Sequence, residues 1–207
     1  MSVAEVYNKI ATEFKHTRHY QWKWITDYID ALTIKDSHLE VLDIGCGSGR
    51  NILAYRNDFL KIKGLDLSRE FVKICREQKL DVKLGDMIRI PYKDKSFDHL
   101  LAIASFHHLE TKKNRIDALK EMHRILKPNG TAILSVWSKT QPEKTKRKFE
   151  SFGDQMVPWK TTNGEEYFRY YYIFKLDEIL DLFQQTNFKV VKQFWDCGND
   201  IFIIQKI

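Results

Sequence analysis

The chain has 207 residues, of which 43% are hydrophobic and 13% aromatic, so it can build a core and global disorder is excluded. No run approaches the roughly 18 apolar residues of a membrane-spanning helix, and the first residues lack a secretory-signal pattern. Three cysteines without a Cys-x-x-Cys pair exclude a disulfide framework and a zinc site. We expect a soluble, reduced, intracellular protein without membrane contact, and the formal charge of +6 favours a polyanionic partner.

In chain order, the predicted elements begin with two amphipathic helices, over 3–14 and 25–32. Short apolar runs typical of buried strands then alternate with helical patterns. The predicted strands are 39–44, 60–65, 82–84, 97–104, 131–137, 188–195 and 201–205. The predicted helices are 51–55, 68–75 with Ser68 as N-cap, 116–126 ended by Lys127-Pro128-Asn129-Gly130, and 176–183.

This alternation predicts the α/β class, with a Rossmann-like, doubly wound, seven-stranded sheet. The last two strands are joined only by residues 196–200, which is short enough for a hairpin. The sheet is therefore predicted to be mostly parallel with a reversed final strand. The N-terminal helices are expected to cover the mouth of the sheet.

A glycine-rich loop follows the first predicted strand, with the sequence Asp43-Ile44-Gly45-Cys46-Gly47-Ser48-Gly49. Arg50 stands where a dinucleotide loop requires glycine, and no Gly-Lys follows as a P-loop requires. The carboxylate of Asp43 would repel a pyrophosphate but could orient an ammonium group or a positive sulfur. The loop thus predicts a ligand crevice of a different kind, at the carboxyl edge of the sheet.

Two further acids follow the next two strands. Asp66 could accept hydrogen bonds from both hydroxyls of a ribose. Asp86, in Gly85-Asp86-Met87-Ile88, could accept one from an adenine amino group, with Met87 and Ile88 on either side of the ring. One aspartate after a strand is usually a turn residue or a helix cap. Three in order after an acid-led glycine loop favour a single ligand site.

These segments, together with Leu126-Lys127-Pro128-Asn129-Gly130, resemble the ordered motifs of class I S-adenosylmethionine-dependent methyltransferases. The motifs span most of residues 39–137, and the reversed final strand also matches that family. The resemblance implies S-adenosyl-L-methionine as cofactor. The cofactor-binding residues that it implies are Asp43, Gly45, Gly47, Gly49, Asp66, Leu67, Asp86, Met87 and Ala104.

The flanking segments resemble a narrower group, the eukaryotic tRNA wobble-uridine carboxymethyl methyltransferases. The matching segments are Val6-Tyr7-Asn8-Lys9-Ile10-Ala11, Phe14-Lys15-His16-Thr17-Arg18, Trp22, Ile103-Ala104-Ser105-Phe106-His107-His108-Leu109, Pro158-Trp159, Arg169-Tyr170-Tyr171-Tyr172-Ile173-Phe174, Asp196-Cys197-Gly198-Asn199 and Gln205-Lys206. This resemblance implies esterification of the carboxylate of 5-carboxymethyluridine at the tRNA wobble position. Such an acceptor is already ionised near neutral pH, so placing it correctly matters more than a strong general base.

The resemblance also implies the residues of the acceptor site. The guanidinium of Arg18 could hold the acceptor carboxylate, but it could instead cap a helix or bind the cofactor's own carboxylate. His108 is expected at the reaction centre, and one of His107 and His108 is expected to be structural. Asp196 and Asn199 could line the acceptor site or only shape a hairpin turn.

The same resemblance implies tRNA and a small zinc-binding methyltransferase activator protein as partners, the latter in a heterodimer. The basic run over 139–148 could contact tRNA phosphates or be a solvated loop, and Tyr170–Tyr172 could stack on the wobble base or be ordinary packing. The strand at 82–84 is expected to be an exposed sheet edge able to accept a strand of the partner.

We expect one methyltransferase domain over 1–207, with a helical cap at 1–36 and an insertion at 138–174 that contributes to acceptor binding. The expected location is the cytoplasm, with the nucleus as an alternative. Two alternative functions remain open: a methyltransferase for a small metabolite or protein, and a catalytically silent RNA-binding subunit. The complete set of loop glycines and three acids counts against the silent subunit.

Overall fold

The computed structural model describes residues 1–17, 21–33, 38–55, 60–143, 145 and 149–207. The helices are α1 (Val3–His16), α2 (Lys23–Thr33), α3 (Arg50–Ala54), α4 (Arg69–Glu77), α5 (Lys112–Ile125) and α6 (Leu176–Gln185), with a 3₁₀ turn at Phe106–His108. The strands are β1 (Leu39–Ile44), β2 (Leu60–Asp66), β3 (Val82–Leu84), β4 (Phe97–Ile103), β5 (Leu126–Trp137), β6 (Gly153–Lys160), β7 (Glu166–Ile173), β8 (Phe188–Asp196) and β9 (Asn199–Lys206). Within these described residues no helix is both long and apolar enough to cross a bilayer.

Seven strands form one sheet in the order β3-β2-β1-β4-β5-β9-β8. Neighbours from β3 to β5 run parallel, whereas β9 is antiparallel to both β5 and β8. The predicted mostly parallel sheet with a reversed final strand is therefore confirmed, and the reversed strand lies inside the sheet. The turn before it is shorter than predicted. It consists of Cys197 and Gly198, whose φ values of 48° and 79° are typical of a tight hairpin turn.

Alternating residues of the central strands bury the two faces of the sheet. Leu100 belongs to a cluster with the apolar residues of α5 and α6, whereas Leu101 packs with those of α2 and α4. This alternation follows from the two-residue period of a strand, so helices cover both faces.

The two N-terminal helices have different places. α1 begins with a capping box, in which Ser2 Oγ accepts a hydrogen bond from the Glu5 amide and the Glu5 carboxylate accepts one from the Ser2 amide. α1 then contacts α4 and β7 at the carboxyl edge of the sheet. α2 packs against one face of the sheet through residues that include Trp24 and Ile29.

Two features between 126 and 173 differ from the sequence prediction. β5 starts at Leu126, five residues before the predicted start. The segment predicted as a turn forms a bulge within the strand, since Phe97 pairs with Leu126 whereas His99 pairs with Thr131. The predicted insertion contains an antiparallel hairpin, β6–β7, that sequence patterning missed. Buried residues alternate along β7 as in a strand with one face in the interior. One of them is Arg169, so the sequence lacks the alternating apolar pattern that predicts such a strand.

Candidate active site

A cavity of about 420 Å³ opens at the carboxyl ends of β1, β2 and β4, beneath α1. Open α/β sheets bind ligands at this edge, and this volume lies within the range of small-molecule sites. Seven of the nine predicted cofactor residues line the cavity, namely Gly45, Gly47, Asp66, Leu67, Asp86, Met87 and Ala104. Asp43 and Gly49 do not.

The glycine loop leaves room for a ligand at one position and is packed at another. Gly47 has φ of 54°, and a Cβ placed there would meet nothing within 4 Å, so a ligand could approach its backbone. Gly49 has φ of 78°, and a Cβ there would lie 2.4 Å from Leu80 Cδ1. Gly49 therefore allows α3 to start in close contact with the protein interior.

Asp66 is held at the end of β2 with part of its hydrogen-bonding capacity unused. Its Oδ2 accepts a hydrogen bond from the Gly47 amide and its Oδ1 accepts one from the Ser68 amide, each at 2.8 Å. A carboxylate has about four lone-pair positions, so these two bonds leave Asp66 able to accept from a ligand in the cavity. Burial raises the pKa of Asp66 to about 6, and hydrogen bonds from the backbone amides of Ser68, Gly47 and Leu67 oppose this rise.

Asp43 acts on the cavity wall through Asn51 and not by direct contact. Its side chain is only 1% exposed, and its Oδ2 accepts a hydrogen bond from Asn51 Nδ2 at 3.1 Å. Burial raises the pKa of Asp43 to about 7. Asn51 does line the cavity, and its buried Oδ1 has no hydrogen-bond partner among the described residues.

Asn51 is therefore a site residue that the sequence analysis missed. The cradle at Gly47, the remaining hydrogen-bonding capacity of Asp66 and the unpaired acceptor on Asn51 match a ligand with a ribose and an ammonium group. The hydrogen-bonding groups of the cavity therefore fit S-adenosylmethionine.

The segment after β3 forms the wall expected for an adenine. Asp86 Oδ1 accepts a hydrogen bond from the Ile88 amide at 3.1 Å, and its other oxygen accepts none from the described residues. Met87 and Ile88 both pack against the core, and of the two only Met87 also lines the cavity. The placement of a ring against Met87 therefore stays a prediction, and the geometry does not support the same role for Ile88.

His108 lies in the cavity wall with both ring nitrogens engaged. Nδ1 is 2.7 Å from the Tyr170 carbonyl oxygen, which can only accept, so Nδ1 carries the proton. Nε2 then accepts a hydrogen bond from the Tyr7 hydroxyl at 2.9 Å. Burial lowers the pKa of His108 to about 4, so the ring is neutral near pH 7.

His107 is the structural member of the histidine pair. It is fully buried, its Nδ1 accepts a hydrogen bond from the Trp137 amide at 3.1 Å, and its ring stacks on Tyr171 with centroids 4.6 Å apart. Burial lowers its pKa well below the ordinary value. His108 lines the cavity and His107 does not.

Two of the remaining predicted acceptor residues, Asp196 and Asn199, lie away from the cavity. Asp196 and Asn199 face each other across the β8–β9 turn, where Asn199 Nδ2 donates to the carbonyl oxygens of Asp196 and Cys197, and neither residue lines the cavity. This geometry favours the hairpin-turn interpretation. Arg18 lies outside the described residues.

Tyr171 and Tyr172 on β7 are engaged in packing. Tyr171 is only 2% exposed, and the Tyr172 ring lies 3.3 Å from the Arg115 guanidinium. Their places favour packing over stacking on a base. On the same face of β7 as Tyr171 lies Arg169, a buried cation to which the sequence analysis gave no role.

Comparisons with known proteins agree with this geometry. Residues 42–134 match the family described as a methyltransferase domain. The chain is 36% identical over 171 residues to tRNA (carboxymethyluridine(34)-5-O)-methyltransferase ALKBH8 of Mus musculus, covering 80% of this chain and 25% of that protein. It is 32% identical over 195 residues to a protein of Encephalitozoon cuniculi named as a methyltransferase without a stated substrate, covering 91% of this chain and 88% of that protein.

Solved structures share the fold. An S-adenosylmethionine-dependent methyltransferase of Methanosarcina mazei superposes with a TM-score of 0.71 at 20% identity, over 90% of this chain and 98% of that chain. A chain from the Haloferax volcanii complex of the Trm112 methyltransferase activator with a methyltransferase gives 0.68 at 19% identity, over 99% of this chain and 97% of that chain.

The fold, the cavity and these matches together define the class as S-adenosylmethionine-dependent methyltransferases. The chain belongs to the S-adenosylmethionine-dependent methyltransferase family. Its relatives within that family include tRNA carboxymethyluridine methyltransferases of mouse and of Arabidopsis thaliana, and it spans about a quarter of the length of the mouse protein.

Proposed function

We propose that this enzyme esterifies the carboxylate of 5-carboxymethyluridine at the wobble position of tRNA. The observation that carries the proposal is the state of His108, whose lone pair is occupied by the Tyr7 hydroxyl and whose pKa is lowered to about 4 by burial. This imidazole is a poor general base near pH 7. An acceptor that is already a carboxylate needs no base, because it has no proton to lose. The names of the relatives support the same acceptor.

Within this proposal the cofactor residues have distinct tasks. S-adenosylmethionine supplies a methyl group activated by a positive sulfur. Asp66 accepts the two ribose hydroxyls at its remaining lone-pair positions, and Asp86 accepts from the adenine amino group beside Met87. Asn51 Oδ1 accepts from the ammonium group, while Asp43 fixes the orientation of the Asn51 amide through Nδ2.

On the acceptor side of the cleft, the protein contributes by positioning the acceptor relative to the methyl group. Tyr7 and His108 form a wall of uncharged, hydrogen-bonded groups against which an acceptor oxygen can be set in line with the methyl group. Bringing the two groups to about 3 Å in the correct orientation supplies much of the acceleration of such a transfer. We propose that the segment 138–174 completes this side of the site, with Arg18 as a further candidate ligand of the carboxylate.

The partner proposal rests on the exposed edge of the sheet. β3 is an edge strand, and Leu84 on it is 41% exposed. Such an edge can pair with a strand from another chain. One structural neighbour comes from a complex with the Trm112 methyltransferase activator. We therefore propose a heterodimer with a small zinc-binding activator of this kind, acting on tRNA in the cytoplasm or nucleus.

The test is a methyl-transfer assay with the purified chain, alone and together with such an activator. Isotopically labelled S-adenosylmethionine is incubated with tRNA that carries 5-carboxymethyluridine at the wobble position, and the nucleosides are separated. We expect label in the methyl ester of that nucleoside, removable by mild alkali. Label in an alkali-stable nucleoside, or transfer that is equal for tRNA lacking the carboxymethyl group, would contradict the proposal.

A further inference from the structure

Arg169 is a cation buried beside the active site. It lies on the inward face of β7, is only 2% exposed, and packs between the rings of Trp159 and Tyr171, whose centroids are 5.1 and 5.3 Å from its guanidinium carbon. Its Nη1 donates to the Tyr171 hydroxyl at 3.1 Å, and its Nε is buried without a partner among the described residues. No carboxylate of those residues lies within 4.0 Å of it.

A second buried arginine, Arg115, provides a comparison, because its guanidinium has both hydrogen-bond acceptors and a counter-ion. Arg115 is 3% exposed, donates to the carbonyl oxygens of Leu109 and Glu110, and lies 3.9 Å from the Glu178 carboxylate. Its charge is therefore compensated. A buried charge without a counter-ion is strongly unfavourable, so the placement of Arg169 calls for another explanation.

The position of Arg169 relative to the cleft supplies that explanation. The Tyr7 hydroxyl interacts with both Arg169 and Tyr171, and it donates to His108 Nε2. Tyr7 and His108 line the cavity, whereas Arg169 stands behind them. The positive charge thus lies at the wall where the proposed function sets the acceptor carboxylate, in surroundings where charges are weakly screened.

We propose that Arg169 supplies the counter-charge that selects an anionic carboxylate acceptor at the Tyr7–His108 wall. This proposal rests on the proposed function, because it concerns the acceptor of that reaction. Arg169 acts as a positioning and specificity residue, since it does not itself line the cavity. A planar guanidinium suits a carboxylate, and it also suits a phosphate, so the experiment must separate the two.

The experiment measures binding without turnover, in the presence of S-adenosylhomocysteine and of the activator if the enzyme requires it. Two tRNAs are compared that differ only at the wobble uridine, one with a 5-carboxymethyl group and one with the neutral 5-carbamoylmethyl group of similar shape. We expect the wild type to bind the carboxylate at least about tenfold more tightly, as for a poorly screened charge pair. Arg169→Met should abolish this preference, whereas Arg169→Lys should keep part of it and Arg115→Met all of it.

Thermal melting provides the second measurement. Arg169→Met removes a charge that has no counter-ion among the described residues, so its melting temperature should be unchanged or higher than that of the wild type. Arg115→Met leaves Glu178 and two carbonyl oxygens without their partner, so it should melt at a lower temperature. If neither Arg169→Met nor Arg169→Lys folds, Arg169 is a structural residue and the proposal is wrong.

Other outcomes are equally decisive. A preference that survives in Arg169→Met, or is absent from the wild type, contradicts the proposal. Equal weakening of both tRNAs in Arg169→Met would instead indicate a contact with a backbone phosphate and would also contradict it. A wild type that prefers the carboxylate but transfers no methyl group to it would overturn the proposed function and leave the role of Arg169 standing.

Discussion

Burial shifts the ionisable residues of the cleft toward their neutral forms. It raises the pKa of Asp66 to about 6 and that of Asp43 to about 7, and it lowers that of His108 to about 4. Each shift has desolvation as its largest cause. Charges at this site therefore persist only where a hydrogen bond or a ligand compensates for lost hydration.

The Asp66→Ala variant tests the ribose contact. Leaving two buried ligand hydroxyls unpaired should weaken S-adenosylmethionine binding by about 1–3 kcal/mol. Titration calorimetry measures this, with Asp177→Ala, an exposed residue of α6, as the control. Unchanged affinity in Asp66→Ala would contradict the assignment.

The dependence of cofactor binding on pH provides a separate test of the same carboxylate. Only the ionised form of Asp66 offers all its lone pairs to donors, so affinity should be full well above pH 6 and should fall as the pH drops through about 6. In Asp66→Asn this part of the pH dependence should vanish, because the amide does not titrate. Calorimetry between pH 5 and 8 compares the two proteins, and identical pH profiles would contradict the prediction.

At the scale of elements, hydrogen bonds from Ser68 and the Glu70 amide to Asn8 Oδ1 help to tie α1 to α4. Ser68 Oγ accepts from the Phe71 amide as N-cap of α4 and donates to Asn8 Oδ1 on α1 at 2.8 Å. Ser68 is only 1% exposed. One side chain therefore both starts α4 and anchors α1.

The two roles of Ser68 can be separated by mutation. Ser68→Ala should lower the free energy of unfolding by about 0.5–2 kcal/mol through loss of the cap, and should also weaken cofactor binding by loosening α1. Asn8→Ala removes the tie to α1 and leaves the cap, so it should weaken cofactor binding with a smaller loss of stability. Urea denaturation and calorimetry measure the two effects. If Asn8→Ala leaves cofactor affinity unchanged, α1 does not depend on this tie.

At the scale of the molecule, the excess of positive charge bears on the choice between tRNA and a small acceptor. The densest basic run holds five cations, at positions 139, 144 and 146–148. Lys139 lies 4.8 Å from the centre of the Phe152 ring, which is 43% exposed. A basic group beside an exposed aromatic ring suits an RNA backbone and its bases.

Replacing these five cations by alanine should weaken tRNA binding and flatten its dependence on salt. Each lost phosphate contact should reduce the slope of log K against log salt by about 0.7–0.9. Cofactor affinity, measured in parallel, should not change. A variant with the affinity and salt slope of the wild type would favour the small-acceptor alternative.

The sequence by itself determined the fold class, the ligand edge and most of the predicted cofactor residues that line the cavity. These depend on short-range rules: strand period and length place β1 to β5, and Ser68 sits one residue before the helix that it caps. The carboxyl ends of parallel strands meet at one edge of the sheet, so an acid or a glycine at such an end lies at that edge. Seven of nine predicted cofactor residues therefore line the cavity.

Only the tertiary structure decided which residues form the cavity wall at Tyr7 and His108 and which lie behind it. Tyr7 and His108 are 101 residues apart, and their contact shows which histidine faces the cleft. The structure also put Asp43 behind Asn51, Asp196 and Asn199 in a turn, and Arg169 in the interior. Whether a charge is exposed or buried, and whether it is paired, depends on neighbours distant in the chain. Burial and pairing set the electrostatic role of a residue, so no local sequence pattern could assign one to Arg169.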